Sequence, residues 1–268
     1  MSKAQVLTIA GSDSGGGAGI QADIKTFQER GVFGTSVITA VTAQNTLGVQ
    51  GIYRVPLEGV QKQLDSIFSD FTIHAIKTGM LVSEAYMELV ADELEKYSGT
   101  LLVIDPVMVA KGGALLMEKQ ALEIMKLRMV PLATVLTPNI PEAEELSGMT
   151  IQTKEDMKKA AKVLQKFGSK NVVIKGGHTE NDKWATDYLL MEDGKERWYK
   201  SPRIATKDTH GTGCTFSACI TAELAKGKSV EKAVEIAKVF IQAAISHPIE
   251  VGHGHGPTNH WAYREEKK

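Results

Sequence analysis

The run Asp208-Thr-His-Gly-Thr-Gly-Cys-Thr-Phe-Ser-Ala-Cys-Ile220 sets a Gly-x-Gly turn directly before an apolar-periodic stretch, with a thiol at the junction. A turn that opens a helix leaves first-turn N–H groups without intrahelical acceptors, and these point outward with the positive end of the helix dipole. Gly211 and Gly213 let an oxyanion approach that backbone closely, so the segment predicts an anion site with phosphate as its natural guest. Cys214 stands where the helix field favours a thiolate; it could act as a base or as an S–H donor in the anion hole.

A second cluster, Gly15-Gly-Gly-Ala-Gly19, also follows an apolar run, but it is neither Gly-x-Gly-x-x-Gly nor a phosphate loop, because no Gly-Lys-Ser/Thr follows it. Gly227-Lys-Ser229 carries that triplet in the wrong setting: position 222 is Ala, and the triplet reads as the end of one helix and the cap of the next. Gln44 offers a donor and an acceptor side by side, which suits the ring nitrogen and amino group of a neutral heterocycle. Asp105, before Pro106, and Glu142, after Thr-Pro-Asn-Ile-Pro, are carboxylates placed for a nucleotide's Mg²⁺, which keeps several waters and takes few protein ligands. The seven histidines, including His253-Gly-His-Gly and His260, match no zinc spacing.

Positioning these groups requires a scaffold, and the chain shows one. Short apolar runs alternate with helical periodicity, the pattern of a parallel sheet covered on both faces. Strands are expected at residues 6–10, 36–42, 75–78, 101–105, 134–136 and 172–175, with an antiparallel hairpin at 185–191 and 196–200 around Glu192-Asp-Gly194. Helices are expected at 20–29, 57–68, 83–97, 121–127, 154–167, 214–226 and 230–246. Gly11, Thr78-Gly79, Asp105, Thr137-Pro-Asn139 and Gly176-Gly177 then all fall beyond the carboxyl ends of strands, where open α/β sheets bind ligands.

With 268 residues, 43% of them hydrophobic, and no linker or repeat, one domain over residues 4–261 with a charged tail at 262–268 is expected. A net charge of −1 without basic blocks argues against nucleic acid or an anionic membrane as partner, and no apolar run approaches the ~20 residues that span a bilayer. The two cysteines, Cys214 and Cys219, point in different directions on one helix, and Met1-Ser-Lys-Ala-Gln leads straight into a strand; both features predict a cytoplasmic, reducing setting.

The motifs within residues 8–27, Ala43-Gln-Asn-Thr46, Lys77-Thr-Gly-Met80, Asp105-Pro-Val-Met108, Thr137-Pro-Asn139, Lys175-Gly-Gly-His178 and His210-Gly-Thr-Gly-Cys-Thr215 occur in the order seen in one family. The chain resembles the bacterial hydroxymethylpyrimidine/phosphomethylpyrimidine kinases of thiamin biosynthesis, in the ribokinase superfamily. The resemblance implies a ribokinase-like three-layer αβα sandwich, with ATP as co-substrate and Mg²⁺ as cofactor, acting on an aminopyrimidine alcohol and its monophosphate, with pyridoxine as the alternative substrate. It implies that Asp23, Gly11, Thr42, Gln44 and Met80 meet the small substrate and that Asn139, Lys175, Gly177 and Gly211 meet ATP. It also implies that Asp105 and Glu142 hold Mg²⁺ partly through water, and that Cys214, Gly211, Gly213 and Lys175 carry the transfer. The wider superfamily places an Asp base where this chain has Cys214. A homodimer is implied, since relatives often form one, and the Gly-His-Gly-Pro-Thr-Asn-His-Trp tail is read as packing and capping.

Overall fold

Each central strand carries apolar side chains on both faces, so the sheet they form has to be covered twice. In β4 (Ile73–Thr78) Ala75 joins one buried cluster and Ile76 another; in β5 (Leu101–Ile104) Val103 parts from Leu102 and Ile104 in the same way, and in β7 (Asn171–Ile174) Val173 parts from Val172 and Ile174. The computed structural model describes residues 3–97, 99–108, 120–176 and 183–265. The strands line up as β3-β2-β1-β4-β5-β6-β7-β8-β9, with β1 at Gln5–Asp13, β2 at Phe33–Asn45, β3 at Gly48–Arg54, β6 at Val135–Leu136, β8 at Trp184–Leu190 and β9 at Glu196–Pro202. The run β2-β1-β4-β5-β6-β7 is parallel, and antiparallel partners close both edges.

Helices α2 (Leu57–Asp70), α3 (Glu84–Glu95), α4 (Ala121–Ile124), α5 (Ile140–Ser147) and α6 (Lys154–Lys166) bury one face of the sheet. Helices α1 (Gly19–Glu29), α7 (Thr212–Ala225) and α8 (Val230–Ser246) cover the other, and a short α9 (Ala262–Glu265) follows. This is the expected ribokinase-like three-layer arrangement, and none of the described helices is long and apolar enough to cross a membrane.

The expected strands and the late hairpin are present, and the differences from expectation are local. Edge strand β3 was not anticipated, because its two glycines hide any alternation. Helix α5 was not assigned because Pro141 and three acids obscure its period, yet Pro near a helix start and an acid at the third position are favourable. The helix expected at 121–127 is α-helical only to Ile124 and continues as a π turn, Met125–Met129. Strand β1 runs past a bulge between Ala10 and Ser12, which carries its end to Asp13.

Candidate active site

The carboxyl ends of β1, β2, β4, β5 and β7, the start of α5 and the Gly211 turn enclose one cleft of about 1090 Å³. At its floor Gly211 caps α7 in the left-handed region, at φ 81°, and its α-carbon presses on the carbonyl oxygen of Gly17 so closely that a β-carbon there would collide with it. The turn therefore keeps a bare backbone facing the cleft. Thr215 N–H returns to Gly211 O at 2.9 Å, while the N–H groups of Gly213 and Cys214 have no acceptor among the described residues. Those amides stand at the positive end of a 14-residue helix, a geometry able to receive an anion.

Charges converge over that turn. A β-carbon on Gly213 would come within 3.3 Å of both Asp105 Oδ2 and Lys175 Nζ. Lys175 donates to Asp105 Oδ1 at 2.9 Å, and Ser217 of α7 donates to Oδ2 at 3.3 Å. Burial opposes a charge on Lys175, but Asp105 and Glu142 outweigh it and hold its pKa above the usual lysine value. Glu142 is pushed the other way, up to about 7, by burial and by the neighbouring Asp105, against the pull of Lys175 and of hydrogen bonds from Asn139 and Met108. It also closes a capping box on α5: Asn139 N–H donates to its carboxylate at 2.8 Å and the Asn139 side chain accepts from Glu142 N–H at 2.9 Å. Glu142 thus caps α5 and lines the cleft at once. Two carboxylates facing one ammonium leave an excess of negative charge, a donor set that fits a hard divalent cation such as Mg²⁺.

At one end of the cleft Met80 packs under Gly11, and Gln44 extends from the end of β2. Gln44 lies between Thr42, at 3.0 Å, and the Nε2 of His210, at 3.3 Å. The same His210 nitrogen is 2.8 Å from Asp13 Oδ2. Asp13 in turn accepts from the N–H groups of Gly15, Gly17 and Ala18, at 2.8, 3.0 and 2.9 Å, so one carboxylate shapes the glycine loop and docks it on the anion turn. Burial pushes against the Asp13 charge, but His210 and the loop amides win, and its pKa lies below the usual carboxylate range. The opposite end of the cleft is lined by Ala185, Ser201 to Ile204, and Ile241, Gln242 and Ile245 of α8, with an Asp187–Lys238 ion pair of 2.6 Å in its wall.

Of the residues expected at the site, the cleft wall includes Gly11, Thr42, Gln44, Met80, Asp105, Asn139, Glu142, Lys175, Gly211, Gly213 and Cys214. Gly177 lies outside the described residues, and the missing β-carbon of Gly176 faces the Thr186 carbonyl of β8, not the cleft. Two expectations require correction. Asp23 does not reach the cleft: it is fully buried, accepting from Thr8 Oγ1 at 2.6 Å and from Lys77 Nζ at 2.8 Å, so it holds Lys77. Burial raises the Asp23 carboxyl against the pull of Lys77 and Thr8, and would by itself strip Lys77 of its proton, yet Asp23 keeps Lys77 above the usual lysine value. Cys214 is not activated by the helix field either: burial and the charges of Asp23 and Asp105 push its thiol up to about 11, despite Lys77 and a hydrogen bond from Gly19 N–H.

Sequence reasoning gave no role to Lys77, Asp13 or His210. A lysine inside the apolar strand Ile73–Thr78 and an acid two residues before a glycine run were the available signals. The histidine-rich tail also gains a structure. Its backbone N–H groups at His253 and Gly254 donate to Thr46 Oγ1, each at 3.1 Å, and that of His255 donates to Thr46 O at 2.8 Å. The tail then pairs with the backbone of His210, from Gly256 O at 3.0 Å and Thr258 N at 3.2 Å.

Residues 13–259 match the family described as phosphomethylpyrimidine kinase. A hydroxymethylpyrimidine/phosphomethylpyrimidine kinase of Haemophilus influenzae is 60% identical over 262 residues, covering 97% of each chain. Among solved structures, an ADP complex of Bacillus subtilis pyridoxal kinase superposes with a TM-score of 0.91 at 42% identity, over 98% of this chain and 99% of that one. A phosphomethylpyrimidine kinase of Clostridium difficile gives 0.81 at 41% identity, over 91% of this chain and all of that one. The chain belongs to the phosphomethylpyrimidine kinase family.

Proposed function

We propose that this family member transfers the γ-phosphoryl of ATP to the hydroxymethyl oxygen of 4-amino-5-hydroxymethyl-2-methylpyrimidine and then phosphorylates the monophosphate to the diphosphate. The observation that carries the reading is the Gly211–Cys214 turn, placed between an amide-bearing pocket at Gln44 and a second arm long enough for a nucleotide, with Lys175 and two carboxylates above it. Phosphoryl transfer passes through a loose transition state, so positioning and charge stabilisation supply most of the rate and a strong base is not required. The free amides of Gly213 and Cys214 and the Lys175 ammonium receive the charge on the equatorial oxygens. The Cys214 thiol, protonated at neutral pH, serves as an S–H donor beside the attacking hydroxyl instead of as a thiolate.

Asp105 and Glu142 would hold Mg²⁺, largely through water, since Asp105 already accepts from Lys175 and Ser217. Held there, the metal would supply positive charge to offset that of the ATP phosphates. The arm lined by Ser201 to Ile204 and α8 takes the nucleoside; a Bacillus subtilis relative crystallised as an ADP complex supports ATP as co-substrate. Pyridoxine is the second reading, favoured only by the likeness to pyridoxal kinases; Gln44, an amide in the cleft wall with both a donor and an acceptor, suits an aminopyrimidine edge better. Steady-state kinetics with the pyrimidine alcohol, its monophosphate and pyridoxine side by side test this. Higher kcat/KM for both pyrimidines is expected, and a preference for pyridoxine would overturn the assignment.

A further inference from the structure

The hydrogen-bond chemistry around His210 restricts Gln44 more than a pocket wall would. His210 Nε2 is 2.8 Å from an Asp13 oxygen whose acid stays ionised, so that nitrogen carries the proton and donates. A nitrogen that donates cannot also accept from an NH₂ group, and the Gln44 amide lies 3.3 Å away. The amide therefore settles with its oxygen toward His210 and its NH₂ toward Thr42. Thr42 Oγ1 already donates to Ser12 O at 2.9 Å and has a lone pair left to accept. In this arrangement the His210 N–H is shared, chiefly with Asp13 and secondarily with the Gln44 oxygen, and Gln44 keeps one lone pair beside His210 and one N–H beside Thr42.

We propose that His210 is a specificity-determining positioning residue, which fixes the orientation of the Gln44 amide so that the cleft selects a heterocycle bearing an amino group next to a ring nitrogen. The inference rests on the pyrimidine-kinase reading and deepens it. The spare oxygen lone pair takes the amino group, and the spare N–H takes the ring nitrogen. Around such a ring the order is nitrogen, amino-bearing carbon, hydroxymethyl-bearing carbon. In the protein Gln44 lies between Thr42 and His210, and the chain continues from His210 directly into the Gly211–Cys214 turn. The amide orientation that satisfies the protein thus also points the alcohol at the phosphoryl site. The C-terminal tail fixes the spacing, because it grips the His210 backbone and Thr46, two residues beyond Gln44, at once.

The test begins with the wild-type enzyme and the pyrimidine alcohol. No turnover there would remove the functional reading itself, whereas the remaining outcomes bear on His210. In His210→Leu, KM for the pyrimidine alcohol should rise roughly tenfold or more, the scale of one lost hydrogen bond to a buried ligand group, with KM for ATP nearly unchanged. His210→Gln, which restores a donor, should recover much of that loss. Calorimetric binding of the pyrimidine alcohol should follow the same order. Because His210 acts through Gln44, combining His210→Leu with Gln44→Ala should add little to Gln44→Ala alone. Additive losses, parallel rises for ATP and pyrimidine, or a glutamine variant as poor as leucine would overturn the proposal. If His210→Leu yields no folded enzyme, the cycle is run with His210→Gln and His210→Asn, whose donors differ in reach; equal pyrimidine KM values for these two and the wild type would overturn it as well.

Discussion

At the residue scale, the fate of Cys214 shows how several fields decide one proton. The helix start favours a thiolate, and Lys77 adds a cation, but burial and the carboxylates of Asp23 and Asp105 prevail and the thiol stays protonated until about pH 11. Donation, not proton abstraction, is then the chemistry available near neutrality. Cys214→Ser keeps a donor and should hold kcat within roughly tenfold of wild type, whereas Cys214→Ala should lose ten- to thousandfold, the range for one anion-hole donor. Single-turnover rates with saturating ATP would check this, and serine performing as badly as alanine would return the base role to Cys214. Asp23 matters at this scale through Lys77. The family motif assigned Asp23 to the small substrate, and no one-dimensional signal says that a carboxylate in the first turns of α1 points into the sheet to hold a buried ammonium.

At the element scale, the turn that opens α7 is intolerant of any side chain at its cap. Gly211→Ala would place a methyl group against the Gly17 carbonyl and force an L-residue to φ 81°, a conformation that by itself costs roughly 1–3 kcal/mol. The expected outcome is a lowered melting temperature with a kcat loss of at least about a hundredfold, as for a misplaced oxyanion donor. Unchanged kcat in this variant would show that the turn does not cradle the transferring group. This element was legible because its chemistry is local: Gly-x-Gly before an apolar period specifies both cap and helix. The parallel strands were legible for the same reason, each being a short apolar run bounded by turn residues. What escaped was written at long range. The Asp13–His210 contact joins positions 197 apart in sequence, and Lys77–Asp23 joins positions 54 apart. Edge strand β3 is held by pairing to β2 and not by its own pattern. Helix α5 hid behind Glu142, whose capping and cleft roles coincide in one carboxylate.

At the scale of the whole molecule, the tail ties the two cleft walls together and ends in a buried imidazole. His260 Nε2 lies 3.0 Å from Thr215 Oγ1 on α7, and Thr258 Oγ1 is 3.2 Å from that same hydroxyl. Burial, with a smaller push from Lys25, lowers the His260 pKa to about 4. A histidine whose folded pKa lies below its unfolded value of about 6.5 binds its proton only on unfolding between those limits, so stability falls as pH falls through that window. At pH 5 the loss from this one group should be on the order of 2 kcal/mol, small at pH 7 and growing toward pH 4. The melting temperature should accordingly drop between pH 7 and 5, and His260→Gln, which cannot titrate, should show a shallower drop even if it starts lower. Since the tail grips Thr46 and His210, acidification should weaken binding of the pyrimidine alcohol before that of ATP. Equal pH slopes of melting temperature for wild type and His260→Gln would mean that the acid sensitivity of the fold originates elsewhere and that the imidazole only fills space behind α7.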